Sequence, residues 1–189
     1  MYFGPVSDDG DPIEVVAYDQ RWVELFAVAE RELRAVLAPF VVDIEHIGST
    51  AVPGLPAKPV IDIQVGVRTL DDSAEIVPAV ESLGYEYVPE FEDELPDRRY
   101  FRRWANGRRS HQVHLVERSN TDWWYRHVRF RDWLRNHDDD RDRYAELKRK
   151  LASTHRNDRR AYTDGKSHFV RAIEEKSTPG RAQPSQHGS

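Results

Sequence analysis

Gly48-Ser49 and Asp62 are the residues of this sequence best suited to phosphate chemistry. The Gly-Ser pair follows an apolar stretch at residues 41–47, and Asp62 lies within the next apolar stretch, on its polar face. A glycine lets the backbone approach a phosphate closely, and the neighbouring hydroxyl and N–H groups can donate to phosphate oxygens. A carboxylate on an adjacent strand can hold the magnesium ion that neutralises those phosphates. The spacing therefore predicts a site for nucleotide phosphates.

Each of these features also has a purely structural interpretation. The Gly-Ser pair alone predicts only a turn. Asp62 lies in a strand with a buried pattern, where an unpaired carboxylate is costly, so a salt bridge with Arg99 or Lys58 is the alternative to a functional role. His114 could be a buried, hydrogen-bonded histidine. The sequence leaves both interpretations open.

Positive charge is concentrated in one segment, which could bind phosphates. Arginine can bind a phosphate through two parallel hydrogen bonds, and Lys58 and Lys166 are further candidate contacts. The alternative is a solvated basic hairpin that answers the acidic loop at residues 90–94. The arginines of this segment are Arg98, Arg99, Arg102, Arg103, Arg108 and Arg109.

The secondary-structure pattern places the Gly-Ser pair and Asp62 at neighbouring strands. Apolar residues spaced three and four apart predict a helix after residue 19, and alternation over residues 60–67 predicts a strand. A helix at residues 73–83, a strand at 85–88, a hairpin and three helices beginning near residues 121, 138 and 158 complete the order. The predicted fold class is α/β (α+β), a mixed β-sheet covered by helices with a helical C-terminal third.

Asn106-Gly107 predicts a two-residue hairpin turn, because both residues tolerate positive φ. If the loop is those two residues, Ala105 pairs with Arg108, and counting outward sets the register. Arg99 then faces His114, and the more apolar pairs lie on the opposite face of the hairpin.

Composition limits the class of protein. The chain has 189 residues, a net charge of −5 and no cysteine, which excludes disulfides, zinc–thiolate sites and a cysteine nucleophile. The acidic balance argues against a general nucleic-acid binder, and no apolar run reaches the length of a membrane span. We expect a cytoplasmic protein with one domain at residues 13–176 and flexible termini at 1–12 and 177–189.

Several longer segments resemble the GrpB family. They are EHIGSTAVPGL at residues 45–55, AKPVIDI at 57–63, HQVHL at 111–115 and FRDWLR at 130–135, followed by Tyr144 through Lys148 and Tyr162 through Lys166. The resemblance runs from about Val15 to Glu175. It implies the nucleotidyltransferase fold, whose general pattern is a Gly-Ser turn followed by Asp-x-Asp or Asp-x-Glu on the next strand.

By this resemblance Gly48, Ser49 and Thr50 would hold the nucleotide phosphates, with Lys58 and Arg99 as further phosphate contacts. Asp62 would be the catalytic carboxylate and the first ligand of a divalent metal, Mg²⁺ or Mn²⁺.

The sequence departs from the superfamily pattern at the other metal positions. Gln64 stands at the second acidic position, and His114 is the expected match for the third carboxylate. An amide is a weaker magnesium ligand than a carboxylate, and imidazole suits manganese or zinc better than magnesium. Glu45, just before the Gly-Ser turn, could supply a missing carboxylate.

Three functions are compatible with these residues. The first is transfer of a nucleotidyl group from a nucleoside triphosphate to an unknown small-molecule acceptor, with a divalent metal. The second is a non-catalytic nucleotide- or phosphate-binding module on the same fold, which Gln64 favours. The third is an RNA-binding protein that uses the basic hairpin, which the acidic net charge disfavours. The sequence does not fix the oligomeric state.

Overall fold

The computed structural model describes residues 12–178, so the predicted flexible termini lie outside the described residues except for residues 12, 177 and 178. Five strands form one sheet: β1 (Val41–Ile47), β2 (Ile61–Val67), β3 (Glu86–Tyr87), β4 (Arg98–Ala105) and β5 (Arg108–Glu117). The helices are α1 (Arg21–Val36), α2 (Ser73–Glu81), α3 (Thr121–Asn136), α4 (Asp138–Thr154), α5 (Arg159–Gly165) and α6 (Ser167–Ser177). Within residues 12–178, no helix is long and apolar enough to cross a membrane.

The sheet is mixed, as predicted. Its strand order is β1-β2-β5-β4-β3. β2 pairs with β1 in the antiparallel and with β5 in the parallel direction, whereas β5–β4 and β4–β3 are antiparallel. The strand that carries Asp62 therefore has a hydrogen-bonded neighbour on both sides, which fixes its position in the sheet.

The two faces of β2 have different partners. Ile61, Ile63, Val65 and Val67 are fully buried against α1 and α2, and each such side chain contributes about 1.5–3 kcal/mol through burial. On the other face, Gly66 lies under α3, where an added Cβ would be 2.7 Å from the Trp124 ring. Side-chain alternation in β2 thus separates the main core from a polar face covered by the C-terminal helices.

The C-terminal helices pack around the proline-rich loop between β1 and β2. Val52 and Leu55 of this loop are buried with residues of α3, α4 and α6, namely Phe130, Leu134, Tyr144, Ala145, Val170 and Ile173. The prediction of three helices in the C-terminal part of the chain was wrong, because the third predicted helix is divided into α5 and α6. Gly165 ends α5 against Leu151 of α4, where a Cβ would lie 2.5 Å from Leu151 Cδ2. Only glycine allows so close a contact between α5 and α4.

The predicted hairpin register was also wrong, although the turn was right. Asn106 and Gly107 have positive φ, and Ala105 pairs with Arg108. A bulge follows, because Trp104 pairs with Arg109 and Arg103 with His111, so Ser110 is an extra residue on β5. Beyond the bulge every pair is shifted by one residue, and Tyr100 faces His114 where Arg99 was expected.

Candidate functional site

Gly48 and Asp62 lie in contact at the end of β1. Gly48 has φ of 72°, and a Cβ built on it would be 2.4 Å from Asp62 Oδ2. Glycine supplies both the left-handed conformation and the space for the carboxylate. Residues Ser49–Ala51 then form one 3₁₀ turn, and the Tyr144 hydroxyl is hydrogen-bonded to Ser49. The predicted pairing of the glycine turn with Asp62 is thereby found in the structure.

Thr50 has a structural part in this turn. Its hydroxyl donates to the Val60 carbonyl oxygen at 3.2 Å and accepts a hydrogen bond from His46 Nε2 at 3.0 Å. Because the hydroxyl proton goes to the carbonyl, the His46 nitrogen must be the donor. Thr50 is also 1% exposed, so its side chain holds the turn, and the predicted phosphate contact by its hydroxyl would require breaking these bonds.

Asp62 is surrounded by positive charge. Gln112 Nε2 donates to Asp62 Oδ1 at 2.9 Å across the parallel β2–β5 pair. Burial raises the pKa of the Asp62 carboxyl to about 6, against the opposing effect of Lys58, Lys166, Arg109 and Lys148. A carboxyl with this pKa is mostly ionised at neutral pH and can still accept a proton in a reaction.

A cavity of about 150 Å³ opens at this point between the polar face of the sheet and the C-terminal helices. Asp62 is the one carboxylate among its lining residues within the described part of the chain. Six basic side chains line the same cavity: Lys58, Arg98, Arg109, Lys148, Arg159 and Lys166. The excess of positive charge makes the cavity suited to an anion.

Two Tyr-x-x-x-Lys pairs place lysines in the cavity. Lys148 Nζ lies 4.7 Å from the centre of the Tyr144 ring on α4, and Lys166 Nζ lies 4.5 Å from the Tyr162 ring centre. Spacing of four residues brings both members of each pair to one helix face. Lys58 approaches the Tyr162 ring from the loop, at 5.5 Å. Each lysine thus has an aromatic ring beside its ammonium group, which partly compensates for the loss of water when the lysine is protonated.

Burial of these lysines has a measurable consequence. Lys148 is 2% exposed and donates to the Pro56 carbonyl oxygen at 2.5 Å. Burial lowers the pKa of Lys58 to about 7 and that of Lys166 to about 8, and it lowers the pKa of Lys148 well below its usual value. The protonated forms are costly in the free protein, and an anion in the cavity would restore them.

Arg99 does not reach the cavity, which corrects its prediction as a phosphate contact. It donates to Ser73 Oγ at 3.0 Å and to the Pro96 carbonyl at 2.9 Å, and it pairs with Glu92 at 3.2 Å. The one-residue bulge in β5 turns Arg99 to the α2 face of the sheet and Arg98 to the cavity.

The predicted metal ligands are not gathered at one point. Glu45 lies 2.5 Å from Arg131, in an ion pair outside the cavity lining. Gln64 is fully buried and donates from Nε2 to the Trp124 carbonyl at 3.1 Å. Across residues 12–178, no group of three or more His, Asp or Glu side chains is placed to hold a metal ion.

His114 lines the cavity, and one of its ring nitrogens already accepts a hydrogen bond. Its Nδ1 is 3.2 Å from Arg98 Nη1, and an arginine can only donate, so Nδ1 accepts and the proton of the neutral ring is on Nε2. Burial lowers the pKa of His114 well below its usual value. A metal ion would have to displace either Arg98 or the Nε2 proton, so this donor set does not fit a divalent cation held by the protein alone.

Arg102, Arg103 and Arg108 pair with acids, but these acids lie outside the acidic loop at residues 90–94 that the structural alternative named. Arg102 contacts Glu86 at 2.7 Å, and Arg103 contacts Glu32 at 3.1 Å. From the acidic loop, Glu92 pairs with a different hairpin arginine, Arg99. These ion pairs weaken the case for the hairpin as a nucleic-acid-binding surface.

Several cavity residues carry little sequence signal of their own. Lys148 and Tyr144 lie only within a longer segment of family resemblance, and Arg98 is one of six hairpin arginines. The repeated Tyr-x-x-x-Lys spacing could have identified the lysines, because it appears on two helices. Gln112 could have been found only from the β2–β5 register.

The fold and the cavity together define an α/β protein with a cavity lined by basic side chains beside a glycine turn. The model of the family described as GrpB protein matches residues 12–176, and the chain belongs to this family. The sequence-based resemblance to GrpB is thereby confirmed.

Known relatives support the assignment. The UPF0157 protein PA4798 of Pseudomonas aeruginosa is 41% identical over 87% of this chain and 67% of its own length. The UPF0157 protein YqkA of Bacillus subtilis is 35% identical over 86% of this chain, which spans only 46% of that relative. The crystal structure of the conserved protein GrpB from Enterococcus faecalis has a TM-score of 0.80 and 35% identity, covering 87% of this chain and 96% of that chain.

Proposed function

We propose that the cavity binds the phosphate groups of a nucleoside triphosphate. One observation carries the proposal: four basic side chains lie close enough to Asp62, the carboxylate beside the Gly48 turn, for their charge to lower its pKa. They are Lys58, Lys148, Lys166 and Arg109. Within the described residues, six lysines and arginines but one carboxylate line the cavity, and a polyanion would balance this excess of positive charge. Backbone and hydroxyl groups of the glycine turn add donors for phosphate oxygens.

The position of Asp62 favours a transfer reaction in the bound state. The hydroxyl oxygen of a small acceptor would form a bond to the α-phosphorus, and the bond from that phosphorus to the leaving pyrophosphate would break. The hydroxyl proton would pass to Asp62, whose pKa of about 6 suits a general base near neutral pH. The basic side chains would stabilise the charge that develops on the phosphates. The alternative is a module on the same fold that binds nucleotide without turnover.

The predicted Mg²⁺ or Mn²⁺ has a limited place in this proposal. Among the cavity-lining residues that the structure describes, Asp62 is the one carboxylate, so the remaining metal ligands would have to come from phosphate oxygens and water. The lysines and arginines that line the cavity with Asp62 would themselves neutralise phosphate charge, so we expect binding to persist, at reduced affinity, without a divalent metal.

The experiment is a thermal-shift titration with ATP, CTP, GTP and UTP, each without metal, with Mg²⁺ and with Mn²⁺. A triphosphate at a hundred times its Kd should stabilise the protein by about 2.7 kcal/mol, equivalent to roughly 5–10 °C. Lys148→Met should lose most of this shift. Lys150→Met is the matched control, because it makes the same change on the exposed face of α4 and should keep the shift.

A second measurement separates the enzyme from the binding module. Pyrophosphate release should be detectable with water as a slow substitute acceptor, and Asp62→Asn should abolish it while retaining the nucleotide-induced shift. Binding without pyrophosphate release in the wild type would favour the module. If no triphosphate stabilises the wild type, or if Lys148→Met and Lys150→Met behave alike, the nucleotide site is wrong.

A further inference from the structure

Arg98 is buried at the other end of the cavity, and two of its three guanidinium nitrogens have no hydrogen-bond partner within the described residues. The side chain is 2% exposed and lines the cavity. Nη1 donates to His114 Nδ1, whereas Nε and Nη2 have no hydrogen-bond partner within the described residues. Nε and Nη2 lie on the same edge of the guanidinium plane, so the two unused N–H groups form one fork.

Among the side chains of residues 12–178, no acid forms an ion pair with the Arg98 guanidinium. Within residues 12–178 its close neighbours are two aromatic rings, with centres 5.0 Å (Tyr100) and 5.9 Å (Trp123) from Cζ, and the neutral ring of His114. The charge of Glu92 raises the pKa of Arg98, but Glu92 forms its ion pair with Arg99. A buried cation without a counter-ion costs several kcal/mol, so this arrangement fits a state in which an anion is bound.

A second donor at the same end also lacks a partner. Trp123 Nε1 is buried without an acceptor in the described part of the chain, and the indole is the ring that faces Arg98. His127, on the next turn of α3, stacks near His114 and donates from Nδ1 to the Trp123 carbonyl at 3.1 Å, which holds this part of α3 in place. Three nitrogens on two neighbouring side chains, Arg98 Nε and Nη2 and Trp123 Nε1, are therefore buried donors without an acceptor in the described part of the chain.

This end of the cavity is separate from the lysines around Asp62. Gln112 lies between them: it donates to Asp62 on one side and accepts from the Tyr100 hydroxyl on the other. The charge of the lysines lowers the pKa of Asp62, whereas Tyr100 and Glu92 raise the pKa of Arg98. A ligand that fills the whole cavity would meet phosphate-type contacts at one end and the Arg98 fork at the other.

We propose that Arg98 and Trp123 form a carboxylate subsite of the cavity, in which a flat carboxylate-bearing molecule binds side-on to the guanidinium edge. The fork matches the two oxygens of a carboxylate. A single cation between aromatic rings suits a monoanion better than a phosphate dianion, and the rings of Phe91, Tyr100 and Trp123 suit a flat apolar group. That this molecule is the acceptor of the transfer rests on the function proposed above; the subsite itself does not.

Calorimetric titration with benzoate and with benzamide, its neutral analogue of the same shape, tests the subsite. Benzoate should bind at least roughly tenfold more tightly than benzamide, because only the carboxylate uses the fork. Arg98→Lys keeps the charge but removes the fork, and it should weaken benzoate binding by roughly tenfold or more while retaining the ATP-induced thermal shift. Arg99→Lys, the same change on the opposite face of β4, should alter neither measurement.

Trp123→Phe provides a second variant should Arg98→Lys fail to fold. It removes the indole N–H and keeps an aromatic ring, so it should weaken benzoate binding and leave benzamide unchanged. Equal binding of benzoate and benzamide, no benzoate binding up to its solubility limit, or unchanged benzoate binding in the Arg98 variant would each overturn the subsite.

The outcomes also separate the two proposals. Loss of the ATP-induced shift in Arg98→Lys, together with no benzoate binding in the wild type, would assign Arg98 to the nucleotide site and leave the proposed function standing. Benzoate binding as expected, with no nucleotide stabilisation of the wild type, would support the subsite and contradict the nucleotide proposal.

Discussion

At Gly48, backbone conformation and site geometry depend on the same missing side chain. The residue has φ of 72°, and Asp62 Oδ2 occupies the space that a Cβ would take. The turn and the carboxylate therefore cannot be varied independently. A substitution at Gly48 would move Asp62 away from the position in which Gln112 holds it.

We predict that Gly48→Ala destabilises the protein by about 2–4 kcal/mol, because it combines positive-φ strain with a steric overlap. Gly54→Ala is the matched control: Gly54 has φ of 77°, but a Cβ there meets nothing within 4 Å. Urea unfolding of both variants measures the difference. Equal destabilisation would show that strain alone matters and that the contact with Asp62 does not.

The residues of the candidate site were predictable to different degrees. Gly48, Ser49 and Asp62 could be found because each is marked by a local pattern, a glycine turn after a strand and an acid in an alternating strand. Lys148 is marked only by the Tyr-x-x-x-Lys spacing that it shares with Lys166, and nothing in its helix sequence shows that the side chain turns inward to the Pro56 carbonyl. The ion pair of Glu45 with Arg131 could not be predicted, because the two residues are 86 positions apart in sequence. Without that partner in view, Glu45 was predicted as a metal ligand.

At the scale of elements, the β4–β5 hairpin shows how one residue decides which side chains meet the cavity. Asn106-Gly107 fixes the turn, but Ser110 adds a residue to one strand only. Side chains alternate with a period of two, so an unrecognised bulge exchanges the two faces of everything beyond it. The sequence around Ser110 contains no glycine to mark the bulge, and the register was therefore misassigned.

Deleting Ser110 should be tolerated, because the pairs on both sides of the bulge can continue without it. We expect a loss of about 1–2 kcal/mol from its hydrogen bonds to the Arg103 carbonyl and His111. Deleting Arg102 from the opposite strand should be far more damaging, since it would turn Phe101 out of the core and Arg98 out of the cavity. Thermal unfolding and benzoate titration of the two deletions test this difference, and similar behaviour of both would contradict the bulge assignment.

For the molecule as a whole, buried histidines link stability to pH. Burial lowers the pKa of His46 to about 3 and those of His111 and His127 to about 4, with His114 also well below its usual value. In the unfolded chain these groups have pKa values near 6.5, roughly the model-peptide value. Below that pH the unfolded state binds more protons than the folded state, so acid favours unfolding. Asp62, with its raised pKa, acts in the opposite direction between about 4 and 6.

We predict that the free energy of unfolding falls by about 3–4 kcal/mol per pH unit near pH 5, because unfolding there takes up a net two or three protons. Above pH 7 it should rise with pH, because the lowered pKa values of Lys58, Lys166 and Lys148 leave the unfolded state with more bound protons than the folded state. His46→Gln should reduce that slope by about 1.4 kcal/mol per pH unit. His168→Gln, at an exposed position of α6, should leave it unchanged. Urea titrations at pH 7.5, 6 and 5 provide the measurement, and a pH-independent stability would contradict the prediction.

The fold as a whole was largely predictable. The strand pattern, the mixed sheet and the starts of the C-terminal helices follow from local periodicity and capping residues. The division between α5 and α6 does not follow from local sequence, because it results from the contact of Gly165 with Leu151 on another helix. Features that depend on contacts between distant segments were the ones that the sequence could not supply.

The bond between Asp62 and Gln112 joins residues 50 positions apart, across the parallel pair of the sheet. Bringing such distant segments together costs loop-closure entropy before any contact repays it, so parallel pairs of this kind form slowly. The cavity further requires α4 and α5, which follow β5 in the chain. Ligand recognition should therefore be acquired in the last stage of folding, and a variant that stalls earlier would contain most of its helices and yet bind nothing.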